Sequence, residues 1–253
     1  MSHLEYDYNV DEDVRDSQPV PERVFHLLEN YISLNQSSIL ELESGRGTIT
    51  KAFEHHHAHL LAIHHSNADI LRARSMNPNV TFVKGTAEYL PFEKDYFDLV
   101  YCNHHWQQLD RNKVLSEVER VLKPHGYLLI LDAICREHSS EIVTQTNRLV
   151  SRYTHFHPYN AYEQANKDVS SRNVWAMEWK KAGFTVVEME EISFQMVTHL
   201  QKWIDITLDQ YSYLRDEDKH SLEGLLKDYL EPYMVNGRTT IPYQCTVTLL
   251  RSQ

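Results

Sequence analysis

Three short stretches of this sequence carry residue types and spacings that can do chemistry. ILELESGRGTIT, residues 39 to 50, is an apolar run that ends beside Glu41, then turns through Gly45 and Gly47 before a helical pattern resumes. Such a strand, glycine turn and helix start lets backbone N–H groups approach a nucleotide-type ligand. CNHHWQQLD, residues 102 to 110, sets Asn103, His104, His105 and Trp106 just after another apolar run. An imidazole there could take a proton from a phenol or enol, because histidine titrates near neutral pH. HHHAHLLAIHH, residues 55 to 65, holds six of the sixteen histidines, and imidazole is a common metal ligand. A metal site needs convergence, however. His55 to His57 are successive and diverge, His59 opens a strand pattern that His64 closes, and no HExxH spacing occurs. The expectation is therefore no physiological metal site.

The elements that must position these residues follow from periodicity. SSILEL (37 to 42), HLLAI (59 to 63), VTFVK (80 to 84), FDLVYC (97 to 102) and GYLLILDA (126 to 133) are short apolar runs with strand-favouring residues. Helical patterns separate them: TITKAFEHH, NADILRARSM and NKVLSEVERVLK, with PERVFHLLENYI ahead of the first strand. This alternation predicts an α/β fold with a mostly parallel sheet and helices on both faces, since each parallel crossover runs over a face. In such sheets ligands bind outside the carboxyl ends of the strands, where the residues above fall. The second half adds a helix, an aromatic loop and a further helix, then a strand FTVVEMEEISF (184 to 194), two helical stretches and a closing strand PYQCTVTLLRS.

Read in register, five segments resemble the class I S-adenosylmethionine-dependent methyltransferases, in the small-molecule branch related to ubiquinone and menaquinone biosynthesis. ILELESGRGTIT resembles the family's D/E-x-G-x-G-x-G loop, and LLAIHHSNADILRAR its second strand and following helix. NVTFVKGTAEYLPFEKDYFDLVYCN resembles the stretch from third to fourth strand with G-D-A-E-x-L-P-F; LSEVERVLKPHGYLLILDA and WKKAGFTVVE resemble the later elements. The resemblance implies a Rossmann-like, seven-stranded, mostly parallel sheet with a helical lid, and S-adenosylmethionine as cofactor. It implies one domain over 21–253, with the lid at 136–175, a helical insertion at 195–235 and an acidic segment at 1–20.

The resemblance also assigns positions. Glu41 would orient the cofactor's amino group, and Ser44, Gly45 and Gly47 would cradle it, with His65, Ala87, Glu88 and Asn103 alongside. Three positions depart from the pattern. Glu43 stands at the first loop glycine, with Arg46 as a neutralising candidate. His64 replaces the acid that takes both ribose hydroxyls, and Thr86 the aspartate near adenine. A neutral imidazole offers one acceptor where a carboxylate offers two oxygens. Two readings stay open: a methyltransferase acting on a small aromatic or prenylated molecule, with His104 or His105 as the base, or a catalytically silent relative that binds another ligand or a partner enzyme. On the substrate side Trp106 and the loop RYTHFHPYNAY, with Tyr153, His155 and His157, suit a flat apolar ligand.

Composition narrows the partners. A formal net charge of -11 without a clustered basic surface argues against nucleic acid. No run approaches the roughly 18 apolar residues of a membrane span. The acidic start lacks a secretory layout, so a cytoplasmic protein is the expectation. Cys102, Cys135 and Cys245 have no CxxC spacing and read as reduced, buried groups. A homodimer or a partner methyltransferase remains open for the helices near 199 to 231.

Overall fold

The computed structural model describes residues 6–9, 20–44, 50, 53, 56, 58–104, 106–135, 140–154, 169–211 and 214–253. The elements, in chain order, are β1 (Tyr6–Asn9), α1 (Glu22–Glu29), β2 (Ser38–Leu42), β3 (His59–His64), α2 (Asn67–Met76), β4 (Thr81–Lys84) and β5 (Phe97–Asn103). They continue with α3 (Arg111–Val121), β6 (Leu122–Cys135), α4 (Glu141–Val150), α5 (Val169–Lys181), β7 (Phe184–His199), α6 (Leu200–Gln210), α7 (Asp216–Leu230) and β8 (Arg238–Ser252).

The chain divides into two compact units, and strands β6, β7 and β8 run from one into the other. The larger comprises Glu22–Asp132, Val169–Ile192 and Thr246–Gln253. Its seven strands follow the order β7-β8-β6-β5-β2-β3-β4. From β6 through β4 every neighbouring pair is parallel, as the alternation of strand and helix patterns requires. The apolar runs explain the burial. Leu40, Leu42, Val100, Cys102, Leu128 and Ile130 lie in one core cluster with Val114, Leu115 and Val118 of α3, whose apolar residues recur at helical spacing. Strand order reverses between β2 and β5: successive strands step one way from β2 and the other way from β5. The carboxyl ends of this pair are where an open sheet offers a ligand crevice.

The smaller unit comprises Met1–Pro21, Ala133–Asp168 and Ser193–Cys245. Trp203 on α6 donates its indole N–H to Thr146 Oγ1 on α4 at 2.8 Å, which satisfies a polar atom inside an apolar core. Phe194 and Tyr243 stack with ring centroids 5.5 Å apart. The acidic opening segment contributes a strand: Tyr6–Asn9 pair in parallel with Phe194–Val197 of β7. The alternating aromatic and polar residues of YDYN suit that period-two geometry. All three cysteines are buried and in the thiol form. Among the described residues no helix is long and apolar enough to cross a membrane.

One glycine is fixed by close approach. A β-carbon on Gly126 would lie 3.0 Å from the carbonyl oxygen of Lys123 and 3.2 Å from that of Asp98, both backbone atoms that cannot swing aside. Gly126→Ala should therefore cost about 1–3 kcal/mol by overpacking. Urea unfolding followed by circular dichroism checks this, with a lowered midpoint at unchanged slope as the expected result.

Candidate active site

The parallel strands β2, β3, β4 and β5 deliver their last residues to one edge of the sheet. Glu41 arrives there on β2 and is buried, 4% exposed. Thr50 donates its hydroxyl to Glu41 Oε2. Burial pushes the Glu41 carboxyl up to about 7, although hydrogen bonds from Thr50 and Tyr101 and the nearby His64 pull the other way. A buried carboxylate with so little intrinsic compensation is an acceptor suited to a cationic ligand group.

Beyond β2 the chain turns at Glu43, whose φ of 50° is left-handed and usually left to glycine. Ser44, buried, returns its N–H to the carbonyl of Ile63 at 3.1 Å and ties this turn to the end of β3. His64 closes β3 and is 7% exposed. Its Nδ1 lies 3.1 Å from Glu43 Oε2, and its Nε2 3.4 Å from Asp69 Oδ2 on α2. His65, beside it and largely exposed, brings Nδ1 to 3.1 Å from the same Glu43 oxygen. Burial works against the charge of Glu43, but the two imidazoles outweigh it and hold the carboxyl below the usual range. Burial likewise disfavours a charged His64, while Glu43 and Asp69 raise its pKa above the ordinary histidine value.

After β4, Gly85 donates its N–H to the carbonyl of His64 at 3.1 Å. Thr86 is exposed and forms an isolated antiparallel bridge with Tyr89, whereas Ala87 is wholly buried in the core. Glu88 accepts the backbone N–H of Asp110 at 3.2 Å, so its carboxylate serves the turn before α3. The LPF segment is clamped from α3. Arg120 donates to the carbonyls of Leu90 and Phe92 at 2.9 and 2.7 Å, and Glu117 accepts the Leu90 N–H at 2.8 Å.

After β5, Asn103 is partly exposed. His104 follows with a left-handed φ of 62° and its N–H bonded to Leu131 O at 3.0 Å. Its Nδ1 meets Asp132 Oδ1 of β6 at 2.6 Å. A carboxylate at Nδ1 orients the ring, as in the imidazole–carboxylate pairs of general bases. Trp106, expected against substrate, is 2% exposed and packs in the core. Tyr153 sits in the turn after α4, half-buried. Gly45, Arg46, Gly47, His105, His155 and His157 lie outside the described residues.

The structure thus brings Glu41, Glu43, Ser44, His64 and His65 together at the ends of β2 and β3, and Asn103 and His104 at the end of β5. It adds Asp132, Asp69, Thr50 and Tyr101, which reasoning from sequence missed. Asp132 had a signal, an acid closing the apolar run YLLIL beside the strand that carries His104. Asp69 had only its place in a first helical turn.

The residues present meet an S-adenosylmethionine-type ligand unevenly. Glu41 offers a buried carboxylate for an ammonium group. At the position that the resemblance gives to the ribose clamp, both ring nitrogens of His64 face carboxylates, Glu43 at Nδ1 and Asp69 at Nε2.

Residues 40–130 match the family described as a methyltransferase domain. The uncharacterized methyltransferase YcgJ of Bacillus subtilis is 32% identical over 60% of this chain and 64% of its own length. The ubiquinone/menaquinone biosynthesis C-methyltransferase UbiE of Vibrio campbellii is 33% identical over 47% of this chain and 48% of its own. The chain thus spans less than two thirds of either relative. Among solved structures, the geranyl diphosphate C-methyltransferase of Streptomyces coelicolor, in complex with Mg2+, geranyl diphosphate and S-adenosyl-L-homocysteine, superposes with a TM-score of 0.51. It is 12% identical, with coverage of 91% of this chain and 78% of that one, a likeness of fold alone.

Proposed function

We propose that this chain is a class I methyltransferase that moves a methyl group from S-adenosylmethionine to a small aromatic or prenylated molecule whose hydroxyl is deprotonated by His104. The observation that carries this reading is the His104–Asp132 pair at 2.6 Å, set at the carboxyl ends of β5 and β6. When bound, the cofactor would supply an activated sulfonium methyl, so the protein's work is positioning and proton removal. Glu41 would take the cofactor's ammonium, regaining the charge that burial opposes. Asp132 would hold the His104 ring in one tautomer, and Nε2 would accept the acceptor's proton as its oxygen, or the carbon conjugated to it, becomes nucleophilic.

The test is transfer of labelled methyl to a panel of phenols, quinols and prenylated analogues. His104→Ala should lower kcat by about 10²-fold or more, and Asp132→Asn should act in the same direction with KM little changed. No transfer to any member, together with no binding of S-adenosylhomocysteine at millimolar concentration, would sink the reading.

A second reading has its own observation. The Glu43 carboxylate lies against His64 and His65 where a cofactor would need room, which favours a silent relative that uses this edge for another ligand or stabilises a partner enzyme. Binding to a partner methyltransferase that is unchanged by Glu43→Gly and His64→Asp would support it.

A further inference from the structure

We propose that Glu43, His64 and His65 form a site for a divalent transition-metal ion of the zinc class. The three side chains each offer one ligand atom, and these atoms lie within 4.8 Å of one another. Glu43 Oε2 is 3.1 Å from both imidazole Nδ1 atoms. Around a tetrahedral zinc with ligands at about 2.0–2.1 Å, neighbouring ligand atoms stand roughly 3.3 Å apart. The cluster therefore needs only small side-chain adjustment to close on an ion.

His64 points the same way independently. It is buried, and its Nδ1 stands 3.1 Å from Glu43 Oε2 without meeting the geometry of a well-formed hydrogen bond. Its Nε2 faces Asp69 Oδ2 at 3.4 Å. Ligating histidines commonly give their far ring N–H to a carboxylate, which fixes the tautomer and turns the other nitrogen's lone pair to the metal. With that tautomer, Nδ1 and the Glu43 oxygen are two acceptors face to face, and a cation between them turns repulsion into ligation. A proton on His64 would relieve that pair as well.

The backbone presets the cluster. Glu43 holds a left-handed φ of 50°, Ser44 N–H is bonded to Ile63 O, and Gly85 N–H is bonded to His64 O. A side chain kept at a strained position is a feature associated with functional sites. Two nitrogens and one carboxylate oxygen suit zinc, cobalt, nickel or copper rather than the all-oxygen preference of magnesium or calcium. His65 is exposed, which leaves an entry path and room for a water as fourth ligand. Among the described residues this is the one such cluster. The expectation of no metal site weighed His55–His57, His59, His64 and the lack of an HExxH spacing, and did not weigh Glu43, which reaches the β3 end from the turn after β2.

The experiment uses the full chain without an added histidine tag, stripped with a chelator and titrated with zinc chloride by calorimetry and with Co2+ by visible absorption. One equivalent of zinc is expected, with cobalt giving the intense bands of a tetrahedral site. His64→Ala and Glu43→Gln should each weaken zinc binding by more than tenfold, and Asp69→Asn by about tenfold at unchanged stoichiometry. His65→Ala, at an exposed position that leaves the fold intact, should weaken it likewise. Absence of stoichiometric binding would overturn the proposal. So would binding that survives the Glu43, His64 and His65 substitutions and disappears when His55 to His57 are replaced by alanine. None of these readouts depends on methyl transfer, so the metal site and the methyltransferase reading can fail separately.

Discussion

The variant carrying Glu43→Gly, His64→Asp and Thr86→Asp should bind S-adenosylhomocysteine about 100-fold more tightly than the original protein, measured by calorimetry in metal-free buffer. Each substitution restores one expected cofactor contact. Glycine at 43 removes a carboxylate from the loop and relieves a left-handed φ of 50° that costs a non-glycine residue on the order of 1 kcal/mol. Aspartate at 64 returns two acceptor oxygens to the end of β3, where the imidazole now faces Glu43 and Asp69. Aspartate at 86 adds a charged acceptor on an exposed residue. At about 1 kcal/mol for each of the two recovered hydrogen bonds, and a similar amount for removing a carboxylate that opposes the cofactor's own, the three changes give roughly two decades of affinity. Equal micromolar binding by both proteins would mean instead that the native side chains form an adapted site.

Particular residues show why some of this was legible in the sequence and some was not. The strands from β2 to β6 announce themselves because apolar runs with little alternation mean burial on both faces, and the helical patterns between them force parallel crossovers. Glu41, Glu43 and His64 were named in the sequence through the resemblance of their segments to the family's loop and second strand, and the structure sets them side by side at the ends of β2 and β3. Asp132 and Asp69 were not assigned, because their roles are pairings made across neighbouring elements: His104 meets Asp132 across adjacent strands, and His64 meets Asp69 across a strand and the following helix. The convergence of Glu43, His64 and His65 was hidden for the same reason. Trp106 lies after β5, where a substrate contact was expected, and the structure buries its ring in the core cluster that also holds Leu90, Val114 and Leu115. The strand at Tyr6–Asn9 was masked by the acidity of its surroundings, which reads as a solvated tail.

Arg120→Ala is expected to cost about 2 kcal/mol of stability, a fall in melting temperature of roughly 4–8 °C for a chain of this size. The guanidinium donates to the carbonyls of Leu90 and Phe92 and pairs with Glu117, so alanine strips two acceptors and leaves Glu117 without its cation. The side chain is 36% exposed, which screens the ion pair, and most of the loss falls on the carbonyl bonds. The pH dependence separates the two contributions. The hydrogen bond from Arg120 holds the Glu117 carboxyl below its ordinary value of 4.5, despite partial burial, with help from the Leu90 N–H. A carboxyl with a depressed folded-state pKa contributes stability that is present above the unfolded value and lost as pH falls through the folded one. The gap between the original protein and Arg120→Ala should therefore hold constant above about pH 5 and narrow below pH 4.5, leaving a residue from the two carbonyl bonds. Glu117→Gln should lose that acid dependence. A gap that is flat from neutral to acid would assign the whole effect to the carbonyl bonds. A gap that closes completely would assign it to the ion pair, and would mean that water replaces Arg120 at Leu90 and Phe92 without cost.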